Sequence, residues 1–461
     1  MLPETELMKN RSAKIILEMA HNEKRKKILF ILLYAGFVAA VAIAGVLWFQ
    51  SRKIKPNIIL ITFDALRADH LNCYGYQKET APFINEFAKD AFLFKRAVAQ
   101  SGTTLPSLSS VFTSKYPYSD CEVTKAFTVS ESYMTLPVFL QSKGYETFAV
   151  VGHTYVNRIF GFARGFDRFD DNFNGFRNAE EMTRGAVQLL RERSKKKSFF
   201  LWLHYKEPHA PYAPPERYLQ MFRREWPLAG DGEWALYSSQ GKKRYLSERR
   251  IQELIDSYDA NIRYADDQLK DLFEYLKQNG LLKNSIIIIT ADHGESLGEH
   301  RIFGHNELYY GILRVPLLMK VPGIRGRVIQ YPVASLDLFP TIMELLGYKN
   351  SPLLEQLRGK DLLGEHKEPR ELFSEYDNRA SLIFGDFRLF HKAKEKYELY
   401  NISRDENESD NLISSEEKAF SFLKQKMDLH SKVPACPADT DKLLLDQNTK
   451  ENLESLGYAQ H

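Results

Sequence analysis

Five near-continuous apolar runs of strand length constrain the fold of this chain more than any other feature. They lack the alternation of a strand with one face in water, so both faces of each strand are expected to be covered. Helical patterns separate them, and the pattern over residues 249–280 ends at Gly280, a residue suited to a helix C-terminus. Alternating strands and helices predict an α/β fold with a mostly parallel sheet flanked by helices. The runs are 57–62, 147–151, 199–204, 286–290 and 315–321.

The C-terminal part of the chain has a different pattern. The 461 residues are 44% apolar and 27% charged, which is ordinary for a folded protein. Residues 387–402, "FRLFHKAKEKYELYNI", resemble an antiparallel hairpin, and a polar loop follows. We therefore divide the globular part into a catalytic domain over 50–380 and a small antiparallel strand-rich subdomain with a tail over 381–461.

The N-terminal part contains a long uncharged stretch, residues 28–49, "ILFILLYAGFVAAVAIAGVLWF". Its 22 residues, at about 1.5 Å each in a helix, match the roughly 30 Å hydrocarbon core of a bilayer. This stretch predicts one transmembrane helix, preceded by a cytoplasmic segment over residues 1–27.

The charges around this stretch indicate its orientation. Seven basic residues precede it and three follow it, which places the N-terminus in the cytoplasm and the catalytic domain on the other side. Residues 1–55 carry ten basic and four acidic groups, a net charge of +6, so the remaining chain carries −3 of the total of +3. The basic surplus therefore belongs to membrane topology, and no nucleic-acid partner is expected. The oligomeric state is not predicted.

Acidic and imidazole side chains follow four of the predicted strands. Ligands of open α/β sheets bind at the carboxyl ends of the strands, so these side chains are expected to form a site. Two carboxylates and an imidazole suit a divalent metal, and imidazole favours manganese or zinc while calcium and magnesium stay open. The residues are Asp64, His153, His204, Asp292 and His293.

The segment "AQSGTTLPSLSSVFTSKYP", residues 99–117, is rich in hydroxyl groups and contains Pro106. Proline suits the first turn of a helix, so Thr104 is expected at a helix N-terminus, where free N–H groups favour an anion. An ordinary N-cap is the simpler interpretation of the segment alone. Beside a metal site, however, this hydroxyl is a candidate nucleophile for a phosphate or sulfate ester.

Seven blocks of the chain after residue 56 resemble, in order, those of the sulfatase and alkaline-phosphatase superfamily. The resemblance implies an alkaline-phosphatase-like fold and a metal-dependent ester hydrolase or phosphotransferase. The blocks are "PNIILITFDALRADHLNCYGY", "TTLPSLSSVFTSKYP", "KGYETFAVVGH", "HYKEPHAPYAPP", "ITADHGESLGEH", "FGHNELYYGILRVPLLMKVPG" and "LDLFPTIMELLGY".

The resemblance also implies roles for single residues. Asp64, Asp292 and His293 would bind one divalent metal, and Thr104 would contact it as the nucleophile. His209 and His305 fall on positions that contact the ester oxygens or protonate the leaving group, and His153 replaces a substrate-binding lysine of many sulfatases. Packing at the end of its strand is the role expected of His204.

Departures from the family pattern leave the substrate open. The formylglycine motif Cys-x-Pro-Ser-Arg reads Thr104-Leu105-Pro106-Ser107-Leu108 here, so formylglycine chemistry is not expected. A threonine nucleophile with an Asp-His pair is similar to phosphoethanolamine transferases and lipoteichoic acid synthases. Sulfate or phosphate esters, hydrolysis or transfer, and an envelope glycan or lipid as substrate all stay open. An inactive protein that binds an anionic glycan or a lipid headgroup is the alternative from another class.

Overall fold

The computed structural model describes residues 55–430 except 121–127, 174, 224–232, 239–242, 365–367 and 394–395, together with isolated helical residues between positions 30 and 41. The predicted transmembrane helix over 28–49 lies for the most part outside the described residues, as does the tail after residue 430. Within the described part of the chain, no helix has the length and apolar character needed to cross a membrane.

The strands form one large sheet and three smaller ones. They are β1 (Asn57–Asp64), β2 (Phe92–Phe94), β3 (Ala97–Val98), β4 (Glu146–Val151), β5 (Arg168–Asp170), β6 (Phe199–Pro208), β7 (Glu233–Ser238), β8 (Lys243–Ser247), β9 (Ser285–Ala291), β10 (Ser296–Leu297), β11 (Ile302–Gly304), β12 (Arg314–Val315), β13 (Leu317–Lys320), β14 (Val328–Ile329), β15 (Val333–Ala334), β16 (Leu372–Tyr376), β17 (Arg379–Phe384), β18 (Phe387–Ala393) and β19 (Lys396–Asn401).

The α-helices are α1 (Pro82–Ala88), α2 (Thr104–Thr113), α3 (Leu136–Ser142), α4 (Ala179–Glu192), α5 (Glu216–Phe222), α6 (Glu248–Gln278), α7 (Tyr310–Leu313), α8 (Leu338–Leu345), α9 (Leu353–Gln356) and α10 (Glu417–His430). Local sequence explains the long ones. Asn178 and Glu181 form a capping box at the start of α4, and the Ser247 side chain accepts the Arg250 N–H at the start of α6. As predicted, α6 ends just before Gly280, which has a φ of 68°.

The large sheet has the strand order β14-β2-β13-β9-β1-β6-β4-β5. The five strands from β9 to β5 are parallel to one another, and the predicted apolar runs are confirmed as strands of this sheet. β13 differs from the expectation of a parallel strand, because it runs antiparallel to β9. Only short elements lie between β9 and β13, so the chain turns back at the carboxyl edge instead of crossing over. The sheet is therefore mixed.

Helix α2 packs on this sheet through an aromatic contact. Phe112 lies edge-on against Trp202 of β6, with 4.6 Å between ring centroids, and both side chains are buried. Aromatic pairs of this geometry favour one fixed arrangement of the two elements. The C-terminal half of α2 is thereby fixed against the central strands.

The C-terminal strands β16-β17-β18-β19 form the predicted antiparallel sheet, and its first strand, Leu372–Tyr376, precedes the predicted boundary at residue 380. This sheet is joined to the catalytic part by buried polar contacts. The Arg388 guanidinium donates to the Leu308 carbonyl oxygen and to Glu408, and Glu408 accepts the Tyr310 N–H at 2.7 Å. Ser374 Oγ also donates to the Ala99 carbonyl oxygen at 2.6 Å.

Candidate active site

The central strands bring the predicted site residues to one edge of the sheet. Asp64 ends β1, His153 follows β4, and Asp292 and His293 follow β9. His204 lies within β6, paired with Thr62 of β1 and with Val151 of β4. All five side chains are completely buried. Because the strands are parallel neighbours, their carboxyl ends converge as the sequence pattern indicates.

The Asp64 carboxylate lies at the centre of the imidazoles. Oδ2 is 3.5 Å from His204 Nε2 and 3.7 Å from His153 Nδ1, and Oδ1 is 3.7 Å from His293 Nε2. Neither oxygen accepts a hydrogen bond from a described residue. Burial, together with the charge of Asp292, raises the pKa of the Asp64 carboxyl well above its usual range.

Asp292 is held in place through one of its two carboxylate oxygens. Oδ1 accepts the N–H groups of His293 at 2.7 Å and of Ala65 at 3.1 Å. Ala65 has a φ of 60°, a conformation uncommon for a residue with a side chain. Oδ2 is 3.5 Å from His293 Nε2 and has no hydrogen-bond donor in the described part of the chain.

These groups fit a divalent cation. Three carboxylate oxygens of Asp64 and Asp292 are buried without hydrogen bonds to any residue that the structure describes, and a buried carboxylate is costly unless it is paired with a cation or hydrogen-bonded. One ligand atom from each of Asp64, His204 and Asp292 lies within 4.8 Å of the others, and the same holds for Asp64, His153 and His209. Oxygen and imidazole ligands are the set that manganese and zinc accept.

The candidate nucleophile lies beside these groups. Thr104 is the first residue of α2, is buried, and has its Oγ1 3.3 Å from His293 Nε2. Ser107, one turn along the helix, donates its hydroxyl to the Asp292 carbonyl oxygen and joins the start of α2 to the end of β9. The structure therefore brings together Asp64, Thr104, Asp292 and His293, the four residues that the resemblance assigns to the metal.

The remaining histidines extend the site as a row of rings. Ring centroids are 5.1 Å apart for His153 and His209, 4.9 Å for His209 and His305, and 4.7 Å for His305 and His293. Burial lowers the pKa of His153 and of His209 well below the usual value, and neighbouring imidazoles lower both further.

Backbone contacts set the proton position on several rings. His209 Nδ1 donates to the Ala210 carbonyl oxygen at 2.6 Å, so Nε2 of the neutral ring carries the lone pair. His153 Nδ1 instead accepts the Tyr155 N–H at 3.3 Å, so its Nε2 carries the proton. His305 Nδ1 lies 3.1 Å from Glu295 Oε1, and this carboxylate oxygen can accept a proton carried on Nδ1. The rings thus offer both acceptors and donors.

Two residues of the site were missed in the sequence, and a third was assigned another role. His204 was expected to serve packing, but its Nε2 faces Asp64. Glu295, two residues after His293, contacts His305 and accepts the Tyr212 hydroxyl at 3.0 Å. Lys206 is buried, and its burial lowers the pKa of the ammonium. The block "HYKEPHAPY" contains two of the three, and its density of polar groups in a buried strand was the available signal.

The comparisons with known proteins agree with this fold. The family model described as "Sulfatase" matches residues 56–348. An arylsulfatase of Clostridium perfringens is 25% identical over 441 residues, covering 79% of this chain and 91% of that protein. The N-acetylglucosamine-6-O-sulfatase of Bacteroides thetaiotaomicron is 23% identical and covers 83% of this chain and 87% of its own length.

A solved structure with the same fold is the phosphonate monoester hydrolase of Agrobacterium radiobacter. Its TM-score is 0.65 at 18% identity, and the match covers 82% of this chain and 95% of that one. The arrangement of strands, the buried carboxylates and the family model, which covers more than half of the sequence, lead to one conclusion. This chain belongs to the sulfatase family, within the alkaline phosphatase superfamily, and is an ester hydrolase.

Proposed function

We propose that this protein is a membrane-anchored, metal-dependent hydrolase of phosphate or sulfate esters that forms a covalent intermediate on Thr104. The observation that carries the proposal is the position of Thr104 Oγ1 at the start of α2, 3.3 Å from His293 Nε2, a nitrogen that lies 3.7 Å from Asp64 Oδ1 and 3.5 Å from Asp292 Oδ2. A hydroxyl with no special partner would face water or cap its helix. Here it contacts a buried imidazole nitrogen that is itself close to both carboxylates.

Asp64, Thr104, Asp292 and His293 would hold one divalent cation, which would lower the pKa of the Thr104 hydroxyl and screen the charge of the ester. Thr104 Oγ1 would release its proton to solvent water and form a bond to the phosphorus or sulfur atom, while the bond to the leaving oxygen breaks. The N–H groups at the start of α2 and the Nε2 proton of His153 stabilise the negative charge of the ester oxygens.

The other two histidines suit the proton transfers. His305 contacts Glu295 through Nδ1, so Nε2 is the nitrogen left to donate a proton to the leaving oxygen. His209 is kept neutral by burial, with its lone pair on Nε2. It therefore accepts a proton from the water that attacks the covalent intermediate. This attack releases the inorganic anion, and the proton then passes from His209 to Thr104 Oγ1 and restores the hydroxyl.

The chemistry of Thr104 favours phosphate esters. A formylglycine hydrate carries a second hydroxyl that expels sulfate, whereas Thr104 has one oxygen and its ester must be cleaved by attack of water at phosphorus or sulfur. Sulfate esters are the second candidate, supported by family membership and by relatives named as sulfatases. An acceptor hydroxyl in place of water would make the same site a transferase.

Mass spectrometry of the metal-loaded protein tests the nucleophile. After brief exposure to an aryl phosphate and acid quenching, we expect an added phosphoryl group on the peptide that contains Thr104, and none in Thr104→Ala. Thr103→Ala is the matched control, because Thr103 is the adjacent threonine and lies just before the helix. Turnover of Thr104→Ala at the parental rate, or an adduct on another residue, would refute the proposal. An aryl sulfate in parallel distinguishes the two esters.

The membrane anchor is proposed from the sequence. Residues 28–49 are uncharged and the basic residues lie mainly before them, which places the N-terminus in the cytoplasm and the catalytic domain outside it. In cell fractionation we expect the full chain in the membrane fraction and a chain starting at residue 56 in the soluble fraction. Protease should degrade the catalytic domain in cells whose outer envelope has been permeabilised while the cytoplasmic membrane stays intact. Full protection there would contradict the topology.

A further inference from the structure

We propose that His204 is an additional ligand of the metal, through its Nε2. The inference rests on the proposed metal dependence and adds a ligand that the family motifs do not assign. His204 is completely buried, and its Nε2 lies 3.5 Å from Asp64 Oδ2. One ligand atom each from Asp64, His204 and Asp292 lies within 4.8 Å of the other two, as expected for atoms that contact one ion.

The hydrogen bonds behind the ring favour this role. Thr62 Oγ1 lies 2.9 Å from His204 Nδ1, 3.0 Å from Trp202 Nε1 and 3.2 Å from the Leu203 carbonyl oxygen. All three contacts are satisfied together when Trp202 and His204 donate to the threonine oxygen and the hydroxyl donates to Leu203. Nδ1 then carries the proton, and the lone pair is on Nε2, which faces Asp64. Metal-binding histidines are commonly oriented by such a contact on the second nitrogen.

The opposite proton position leaves two groups poorly satisfied. If the Thr62 hydroxyl donated to Nδ1, the Leu203 carbonyl would lose that donor. The proton on Nε2 would then point at Asp64 Oδ2 over 3.5 Å, beyond ordinary hydrogen-bond length. A buried polar atom without a partner destabilises the fold, and Nε2 has no hydrogen bond to a described residue. A residue serving packing alone would be apolar here.

The sequence also supplies the reason for an extra ligand. The superfamily that the chain resembles has two adjacent aspartates in its first metal motif, whereas this chain has Asp64 followed by Ala65, whose methyl group offers no ligand atom. Ala65 instead donates its N–H to Asp292 Oδ1. An imidazole from the neighbouring strand β6 therefore replaces the missing carboxylate. The substitution lowers the negative charge of the site by one and adds a nitrogen ligand, which shifts the preference from calcium toward manganese or zinc.

Two substitutions of the same histidine separate ligation from packing. In His204→Asn the amide approximates the position of Nδ1, which keeps the contact with Thr62 and loses the ligand. In His204→Gln the longer side chain places an amide oxygen near the position of Nε2. With Mn²⁺ as the probe, we expect the affinity of His204→Asn to fall by more than about 100-fold and that of His204→Gln to fall less. Thr62→Val, which removes only the orienting hydroxyl, should lower the affinity about 10-fold.

Pulsed electron paramagnetic resonance of bound Mn²⁺ gives a readout independent of activity, because it detects nitrogen ligands. The parent is expected to show two imidazole nitrogens and His204→Asn one. His70→Asn is the control, since His70 is a buried histidine that pairs with Asp259 and is assigned no role in the site. If His204→Asn fails to fold in circular dichroism, His204→Gln and Thr62→Val carry the test by their affinities.

The outcomes separate this inference from the proposed function. A parent that binds Mn²⁺ through a single imidazole, with unchanged affinity in His204→Asn, overturns the role of His204 and leaves the proposed function standing. Equal losses in His204→Asn and His204→Gln also overturn it, because they would indicate a packing role. A parent that binds no divalent cation overturns both proposals.

Discussion

Asp64 is expected to destabilise the metal-free protein and to be essential for metal binding. Its two oxygens are completely buried without hydrogen bonds to described residues, and an Asp292 oxygen lies no more than 4.8 Å away. Two unit charges at that separation repel each other by about 3 kcal/mol at an effective dielectric constant of ~20. Partial protonation of Asp64, whose pKa is raised, relieves some of this repulsion. We expect Asp64→Asn to stabilise the metal-free protein by about 1–3 kcal/mol.

Urea unfolding in the presence of a chelator, and again with saturating Mn²⁺, measures this effect. The parent should gain stability from the metal, whereas Asp64→Asn should gain little, since it loses a charged ligand. Asp259→Asn is the matched control, because Asp259 is an equally buried aspartate with partners on both oxygens. It contacts His70 Nδ1 at 2.7 Å, the Tyr76 hydroxyl at 2.8 Å and Lys78 Nζ at 2.7 Å. Its replacement should destabilise the protein by about 3–5 kcal/mol with or without metal.

An Asp64→Asn protein that is less stable than the parent in chelator would contradict this prediction, because the carboxylate would then have a stabilising partner. The prediction is also refuted if Asp64→Asn and the parent gain equal stability from Mn²⁺. Changes of opposite sign in the free energy of unfolding for Asp64→Asn and Asp259→Asn would show that the destabilisation by Asp64 comes from the unpaired carboxylates of the site and not from burial alone.

Two further predictions concern acid stability and the loop before the nucleophile. Burial lowers the pKa of His204 from 6.5 to about 4, so the unfolded chain binds that proton first as the pH falls. The metal-free protein should therefore lose up to about 3 kcal/mol of stability between pH 6.5 and 4, and His204→Asn should lose less in urea titrations over that range. An added methyl group in Gly102→Ala would overlap the Glu307 carbonyl oxygen and displace Thr104. We expect kcat with an aryl phosphate to fall about 100-fold, and unchanged kcat would contradict the prediction.

The sequence predicted the positions of the central strands. A strand that is buried on both faces needs a continuous run of apolar residues, and such short runs are uncommon in other elements. The sequence did not predict the direction of β13. An apolar run such as 315–321 has the same composition whether the preceding chain crosses over the sheet to give a parallel strand or turns back to give an antiparallel one. The predicted boundary at residue 380 missed β16 for a related reason. Leu372–Tyr376 resembles any buried strand, and only its pairing with β17 assigns it to the C-terminal sheet.

The candidate site was predicted where polar residues follow a strand, as Asp64, Asp292 and His293 do. His204 was grouped with them at a predicted strand end but assigned to packing. It lies inside β6, and its register with Thr62, which a single sequence does not reveal, brings it to the site. Glu295 was missed because its partner His305 is ten residues away and the loop between them brings the two together. The orientation of each imidazole likewise depends on contacts made after folding.

The buried Arg388 bridge affects how this enzyme can be shortened or recombined. It connects the C-terminal sheet to Leu308 and, through Glu408, to Tyr310, only a few residues beyond His305. Ser374 reaches back to Ala99, in the segment that leads to Thr104. Exchange of the C-terminal sheet between homologues would therefore change the positions of residues near Thr104 and His305. Sequence variation in this sheet is thus a way for evolution to alter catalysis from outside the parallel sheet.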